Sequence, residues 1–182
     1  MLDEKIKDRN FTLVVDKLKN EFNLNEEKLN ELLPGLKDAS FSVYDNTGLA
    51  YDGSLINGSI ELTSLALKIN ELLPEKNRLS KDSIKKVCLL QHISKAIKII
   101  PSKDGRNKDN YAYNDNCPRL KTGEYSGLIA MRCGIEFTDE EFEALVSIDV
   151  SEDDKQAKFF SLPLAVIVKQ ANELLYTIHR KR

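Results

Sequence analysis

The sequence predicts a mainly α-helical fold carrying one short β-hairpin, and three observations support that. Apolar residues recur at three- and four-residue spacing through most of the 182-residue chain. Capping residues and Pro or Gly stops bracket those runs. Only one stretch, around Asp104-Gly105, reads as a pair of short strands.

The elements follow in order. Asp8 to Phe22 places Phe11, Val14, Val15, Leu18 and Phe22 on one helical face. Asn25 before Glu26-Glu27 is an N-cap with an acidic first turn, and Pro34-Gly35 ends that second helix. Residues 38–57 are rich in Asp, Asn, Gly and Ser and read as a long loop, with turns at Asn46-Thr47-Gly48 and Asp52-Gly53. Ser59 to Leu73 is apolar over more than half its circumference, so a deeply packed helix is expected, stopped by Pro74. Ser80 caps a helix expected from Lys81 to Ile97. Ile99-Ile100 and Tyr111-Ala112-Tyr113 flank the turn at Asp104-Gly105 as a hairpin.

Thr122 is read as the cap of a helix running through Leu128, Ile129 and Met131, with Gly134 just past its end. Thr138-Asp139-Glu140-Glu141 is a capping box opening a short helix lined by Phe142, Leu145 and Ile148. Ser151 to Ala157 reads as loop. Leu162 to Ile178 forms the last helix, with Leu164, Val168, Ala171, Leu175 and Ile178 in register and a basic end at His179-Arg180-Lys181-Arg182. One domain is expected.

Composition narrows the chemistry. Lys and Arg number 27 against 29 Asp and Glu, so no global positive field gathers nucleic acid or an anionic membrane. The chain starts without an apolar leader, and its longest apolar run falls far short of the roughly twenty residues of a membrane span. A cytoplasmic protein with no membrane partner is expected. Cys88, Cys117 and Cys133 include no CxxC pair. Cys88 reads as a small buried hydrophobe, and a Cys117–Cys133 disulfide stays open. Only His92 lies inside the body of the chain; His179 reads as a solvated helix end. That excludes a histidine cluster and leaves a serine or cysteine nucleophile only two histidines to recruit as a base. No phosphate loop and no dinucleotide-binding glycine motif is present. Asp149, Glu152, Asp153 and Asp154 form the densest acidic cluster, in a spacing that matches no calcium loop. Lys103, Arg106 and Lys108 on the hairpin, followed by Tyr111 and Tyr113 on one strand face, form a candidate surface for single strands.

Several segments resemble HD-domain metal phosphohydrolases, especially HD-like proteins of phages and mobile elements. They are Phe41-Ser42-Val43-Tyr44, Tyr51 to Ser59, Cys88-Leu89-Leu90-Gln91-His92-Ile93-Ser94-Lys95, Leu120 to Ser126, Phe137 to Glu141, and Pro163-Leu164-Ala165 through Ala171-Asn172. The resemblance spans residues 36–177. It implies an HD-domain-like helical bundle with a β-hairpin insertion over 36–182, and residues 1–35 as N-terminal helices packed on it. It also implies where the metal ligands of such proteins would fall. Gly58 stands at the first histidine position, Gln91-His92 at the paired His-Asp, Thr122 and Ile148 at further histidines, and Asn172 at the late aspartate. Glycine and isoleucine side chains have no ligand atom, and amide oxygens substitute poorly for imidazole and carboxylate. A register slip of one residue at Gln91-His92 rescues nothing, because no other histidine stands inside the domain.

The expectation is therefore a non-catalytic HD-like domain with no metal, no catalytic residues and no cofactor. Gly58, Gln91, His92, Thr122, Ile148 and Asn172 would line a vestigial pocket, open or collapsed. The partner would be a protein, a second copy of the chain or a small ligand. Two alternatives stay open. One is a phosphohydrolase rebuilt on carboxylates such as Asp45, Asp52, Glu124 and Asp149. The other is a nucleic-acid-binding protein using the hairpin and the basic C-terminus. The abundance of Lys, Asn and Ile fits an AT-rich bacterial or phage source.

Overall fold

The central element is α3 (Ser54–Leu72), which buries Leu55, Ile56, Leu62 and Ala66 and packs on three other helices. These are α1 (Glu4–Phe22), α4 (Lys81–Leu90) and α8 (Pro163–His179). Around this layer stand α2 (Glu26–Leu32), the single turn α5 (Lys95–Lys98), α6 (Thr122–Arg132) and α7 (Asp139–Val146). The computed structural model describes residues 3–102, 110–149 and 162–180. Among these, no helix is long and apolar enough to cross a membrane.

Local chemistry explains most of the boundaries. The Asp3 carboxylate accepts from the Lys5 amide and starts α1, which ends at Asn23 with φ at 57°. The Asn25 side chain accepts from the Lys28 amide at 2.9 Å, as its N-cap position predicts. The capping box at Thr138 and Glu141 is present in both directions, at 3.2 and 3.1 Å. Glu141 is itself buried and pairs with Lys86 at 2.7 Å, tying α7 to α4. Pro163 occupies the first turn of α8, where its missing amide costs nothing. Gly134, at φ 88°, lies just beyond α6.

Four expectations are corrected. The loop over 38–57 is shorter than composition implies, because α3 begins at Ser54 and takes Asn57-Gly58 inside the helix. Here burial overrides turn propensity. The helix from Lys81 ends at Leu90; residues 91–94 tighten into successive turns before α5. Thr122 is the first helical residue of α6 rather than its cap, and Glu124 accepts from the Lys121 amide instead. Ile178, expected on the buried face of α8, is 64% exposed, because the core contacts of that helix end at Leu175.

The N-terminal helices share the main core: Val14, Val15, Leu18 and Leu29 lie in one apolar cluster with Leu62, Leu90 and Val168. Ion pairs Lys7–Asp38 and Lys37–Glu4 add a surface link of modest strength. Cys88, Cys117 and Cys133 are all free thiols, so no disulfide joins Cys117 to Cys133. His179 is not simply solvated: its Nε2 lies 2.5 Å from Glu61, pinning the end of α8 to α3. β1 (Ile99–Pro101) and β2 (Tyr111–Tyr113) pair antiparallel, Ile99 opposite Tyr113 and Pro101 opposite Tyr111. The expected loop Ser151 to Ala157, with Glu152, Asp153 and Asp154, lies outside the described residues. So do Lys103, Arg106 and Lys108, and Lys181 and Arg182 at the end.

Two glycines offer a direct test of this packing. A Cβ on Gly123 would stand 2.2 Å from the Leu145 carbonyl oxygen and 2.9 Å from the Val146 Cα. Backbone atoms cannot rotate aside. Gly123→Ala should therefore cost about 3 kcal/mol in urea unfolding. Gly35→Ala, with nothing within 4 Å, should stay within about 0.5 kcal/mol of the parent. Equal costs at both sites would show that the α6–α7 approach is wrong.

Candidate functional site

Phe41 organises the middle of the molecule. Its amide donates to Ser54 Oγ at 2.8 Å, and Ser54 Oγ donates to the Leu49 carbonyl at 2.7 Å. Its carbonyl accepts from Lys95 Nζ at 2.9 Å. The ring, fully buried, lies against Gly58 of α3. A Cβ on Gly58 would meet the ring at 2.7 Å. Any larger side chain at that position would have to compete with the ring for the same space. Lys95 Nζ sits 3.9 Å from the ring centroid and donates to Tyr176 OH at 3.2 Å, so the cation lies on the aromatic face.

The break after α4 presents His92 to this ring and places Gln91 beside it in the chain. Gln91 and His92 fall in turns closed by three-residue hydrogen bonds, Ile93 to Leu90 and Lys95 to His92. Ser94 anchors the break: its amide donates to Ser126 Oγ at 3.1 Å and its hydroxyl to the Thr122 carbonyl at 2.9 Å. The chain therefore leaves the helix axis at a point fixed by α6.

Gln91, His92 and Asn172 form one buried hydrogen-bonded group. Asn172 Nδ2 donates to Gln91 Oε1 at 3.2 Å and to the Val168 carbonyl at 3.1 Å. That leaves Asn172 Oδ1 as an acceptor, 2.9 Å from His92 Nε2. The imidazole must carry its proton on Nε2. The Phe41 ring packs edge-on against it, with centroids 4.6 Å apart. Burial first, and the Lys95 cation second, push the His92 pKa well below the ordinary imidazole value; the Asn172 hydrogen bond opposes them. His92 is thus neutral at pH 7. Two atoms of the group, Gln91 Nε2 and His92 Nδ1, are buried without a hydrogen-bond partner.

The six positions singled out in the sequence do not meet as one open pocket. Gln91, His92 and Asn172 come together, and Gly58 joins them through Phe41. Ile148 is half-buried and packs into the main core beyond α7. Thr122 lines an adjoining cleft of about 270 Å³ with Phe41, Lys95, Lys98, Tyr113 and Tyr176, so it borders the group on the other side of Phe41. Among the described residues, no three His, Cys, Asp or Glu side chains converge as metal ligands would. Asp52 instead accepts a hydrogen bond from Tyr111 OH at 2.5 Å.

The two hairpin tyrosines differ in their surroundings although alternation puts them on one strand face. Tyr111 is buried against Val43 and Ile99. Tyr113 is 61% exposed and reaches Tyr44 at the cleft mouth. Sequence reasoning missed Phe41, Lys95 and Tyr176 as parts of the site. One signal was present: Asn172 and Tyr176 are four apart on α8, so they share a face. A glycine inside an apolar helical run was another, since it marks a close approach.

The neutral imidazole has a measurable consequence. A depressed folded-state pKa means that the unfolded chain binds the proton first. Stability from this group is complete above about pH 6.5 and falls as pH drops below it, by up to about 1.4 kcal/mol per pH unit. Urea unfolding from about pH 7 to about pH 5 should show this slope, and His92→Gln should flatten it. A parent and variant with the same slope would mean that His92 protonates in the folded state. No protein-family model matches the chain, and no match was found among curated proteins or solved structures.

Proposed function

We propose that this chain is a non-catalytic, HD-like helical domain that works by binding, its central polar site turned into a structural lock. The observation that supports this most is the Phe41 ring packed against Gly58 and edge-on to His92. Under the HD resemblance, a ligand histidine would occupy the Gly58 position and a bridging aspartate the His92 position. Here an aromatic ring fills the space beside the first. The second is a neutral imidazole spent on an amide. Metal-assisted hydrolysis needs several anionic or imidazole ligands and a polarised water, and these side chains supply neither.

A rebuilt phosphohydrolase has less to rest on. Of its candidate carboxylates, Asp52 is engaged by Tyr111, and Glu124 is engaged in capping α6. The nucleic-acid reading draws on one observation: Lys98 and Tyr113 border both the 270 Å³ cleft and a second one of about 500 Å³ that includes Arg119. Cations beside an exposed aromatic ring suit a single strand.

The test combines metal content with activity. Protein purified without chelator or metal-affinity tag, then loaded with manganese, iron, magnesium or zinc, should retain less than about 0.1 equivalent of metal. It should not hydrolyse a generic phosphodiester above the metal-only blank. One or two equivalents of metal, lost in His92→Gln, would overturn the proposal. Binding of a fluorescent oligothymidylate that weakens steeply from about 50 to about 200 mM salt would favour the nucleic-acid reading instead.

A further inference from the structure

A large cleft lies away from the polar lock, between the end of α6 and the outer face of α7. It has a volume of about 1030 Å³. Its apolar walls include Met131, Ile135, Phe137, Phe142 and Val146. Met131, in the last turn of α6, is 46% exposed. The Phe137 and Phe142 rings pack edge-to-face with centroids 6.3 Å apart, which gives the groove a rigid floor.

Its polar lining is of one sign. Glu136, Asp139 and Glu143 border it, and among the described residues no Lys or Arg does. On α7, Asp139, Phe142, Glu143 and Val146 follow helical spacing, so acidic and apolar groups alternate along one face. The opposite face, with Ala144 and Leu145, is buried in the core. Glu143 Oε1 is buried yet accepts no hydrogen bond.

We propose that this groove docks a basic amphipathic helix of a partner protein, with apolar anchors between the aromatic walls and Lys or Arg side chains on Glu136, Asp139 and Glu143. The eight residues of α7 are roughly 12 Å long, which matches about two turns of a partner helix. Charge argues against a second copy as the occupant. Among the described residues, the exposed apolar side chains of the chain's long outer helices, Leu13 on α1 and Val166, Leu174 and Ile178 on α8, lie among charges of both signs, Asp16 and Lys17 beside the first and Lys169 and Glu173 beside the others. The groove is separate from the polar lock, so this proposal and the non-catalytic reading fail independently.

The test uses the full chain and two synthetic probes of about 14 residues, one built from Leu and Lys in amphipathic helical register and the other from Leu and Glu. Fluorescence anisotropy should show micromolar binding of the Leu/Lys helix and at least roughly tenfold weaker binding of the Leu/Glu helix. Glu136→Lys combined with Asp139→Lys should weaken the Leu/Lys helix roughly tenfold, and Glu143→Gln should also weaken it. Because Asp139 lies in the first turn of α7, NMR on the unaltered protein provides a second readout. Methyl signals of Met131, Ile135 and Val146 should shift on adding the Leu/Lys helix. Equal binding of both probes, shifts confined to other surfaces, or a self-associated form dissolved by the same charge reversal would each overturn the proposal.

Discussion

The position of Phe41 is the constraint on which the centre of this protein depends. Its backbone is held from both sides, by Ser54 at the start of α3 and by Lys95 after the break in α4. Its ring requires a glycine at position 58 and supplies the wall against which His92 packs. Fully burying a phenylalanine side chain contributes about 2–3 kcal/mol. The larger effect is geometric, because one residue fixes the relative placement of α3, the Gln91–Ser94 turn and, through Tyr176, α8.

That arrangement changes what the polar residues do. A histidine exposed in a cleft is a base or a ligand; the same residue under an aromatic edge, donating to an amide, is a spacer with direction. The Gln91–His92–Asn172 group leaves two buried polar atoms unpaired, so it is not free of cost. What it provides is orientation, since a histidine with one donor and an asparagine with a defined amide orientation fit in one way only. The break after α4 is held in the same manner, with Ser94 and Ser126 exchanging hydrogen bonds across the helix interface.

Much of the fold was legible because capping and apolar spacing act locally. The Asn25 cap, the Thr138–Glu141 box and the stop at Gly134 follow directly from residue type, and the last helix, expected from Leu162, begins one residue later at Pro163. The start of α3 was not, because Asn57-Gly58 has the composition of a turn and its burial against Phe41 depends on a contact seventeen positions back in the chain. The break after Leu90 was hidden for a related reason: its partners, Ser126 and Thr122, belong to a distant helix. Three of the six pocket positions, Gln91, His92 and Asn172, do meet. Thr122 borders them from the far side of Phe41 and Ile148 lies apart in the main core, since linear motifs carry no information on which way a helix face turns. The plug itself was invisible, as nothing in Phe41-Ser42-Val43-Tyr44 distinguishes a ring that fills a site from one that lines it. The acidic groove along α7 was likewise absent from the sequence reading, where its residues appeared only as a capping box and a short apolar face.

The polar lock depends on the state of one imidazole, and nitrogen-15 NMR of His92 reads that state directly. Long-range nitrogen–proton correlations should show the neutral Nε2–H form from about pH 8 down to about pH 5, unchanged when zinc is added. A midpoint near pH 6.5, showing that His92 protonates in the folded state, or a zinc-dependent shift at Nδ1, showing that it is available as a ligand, would contradict a buried neutral lock.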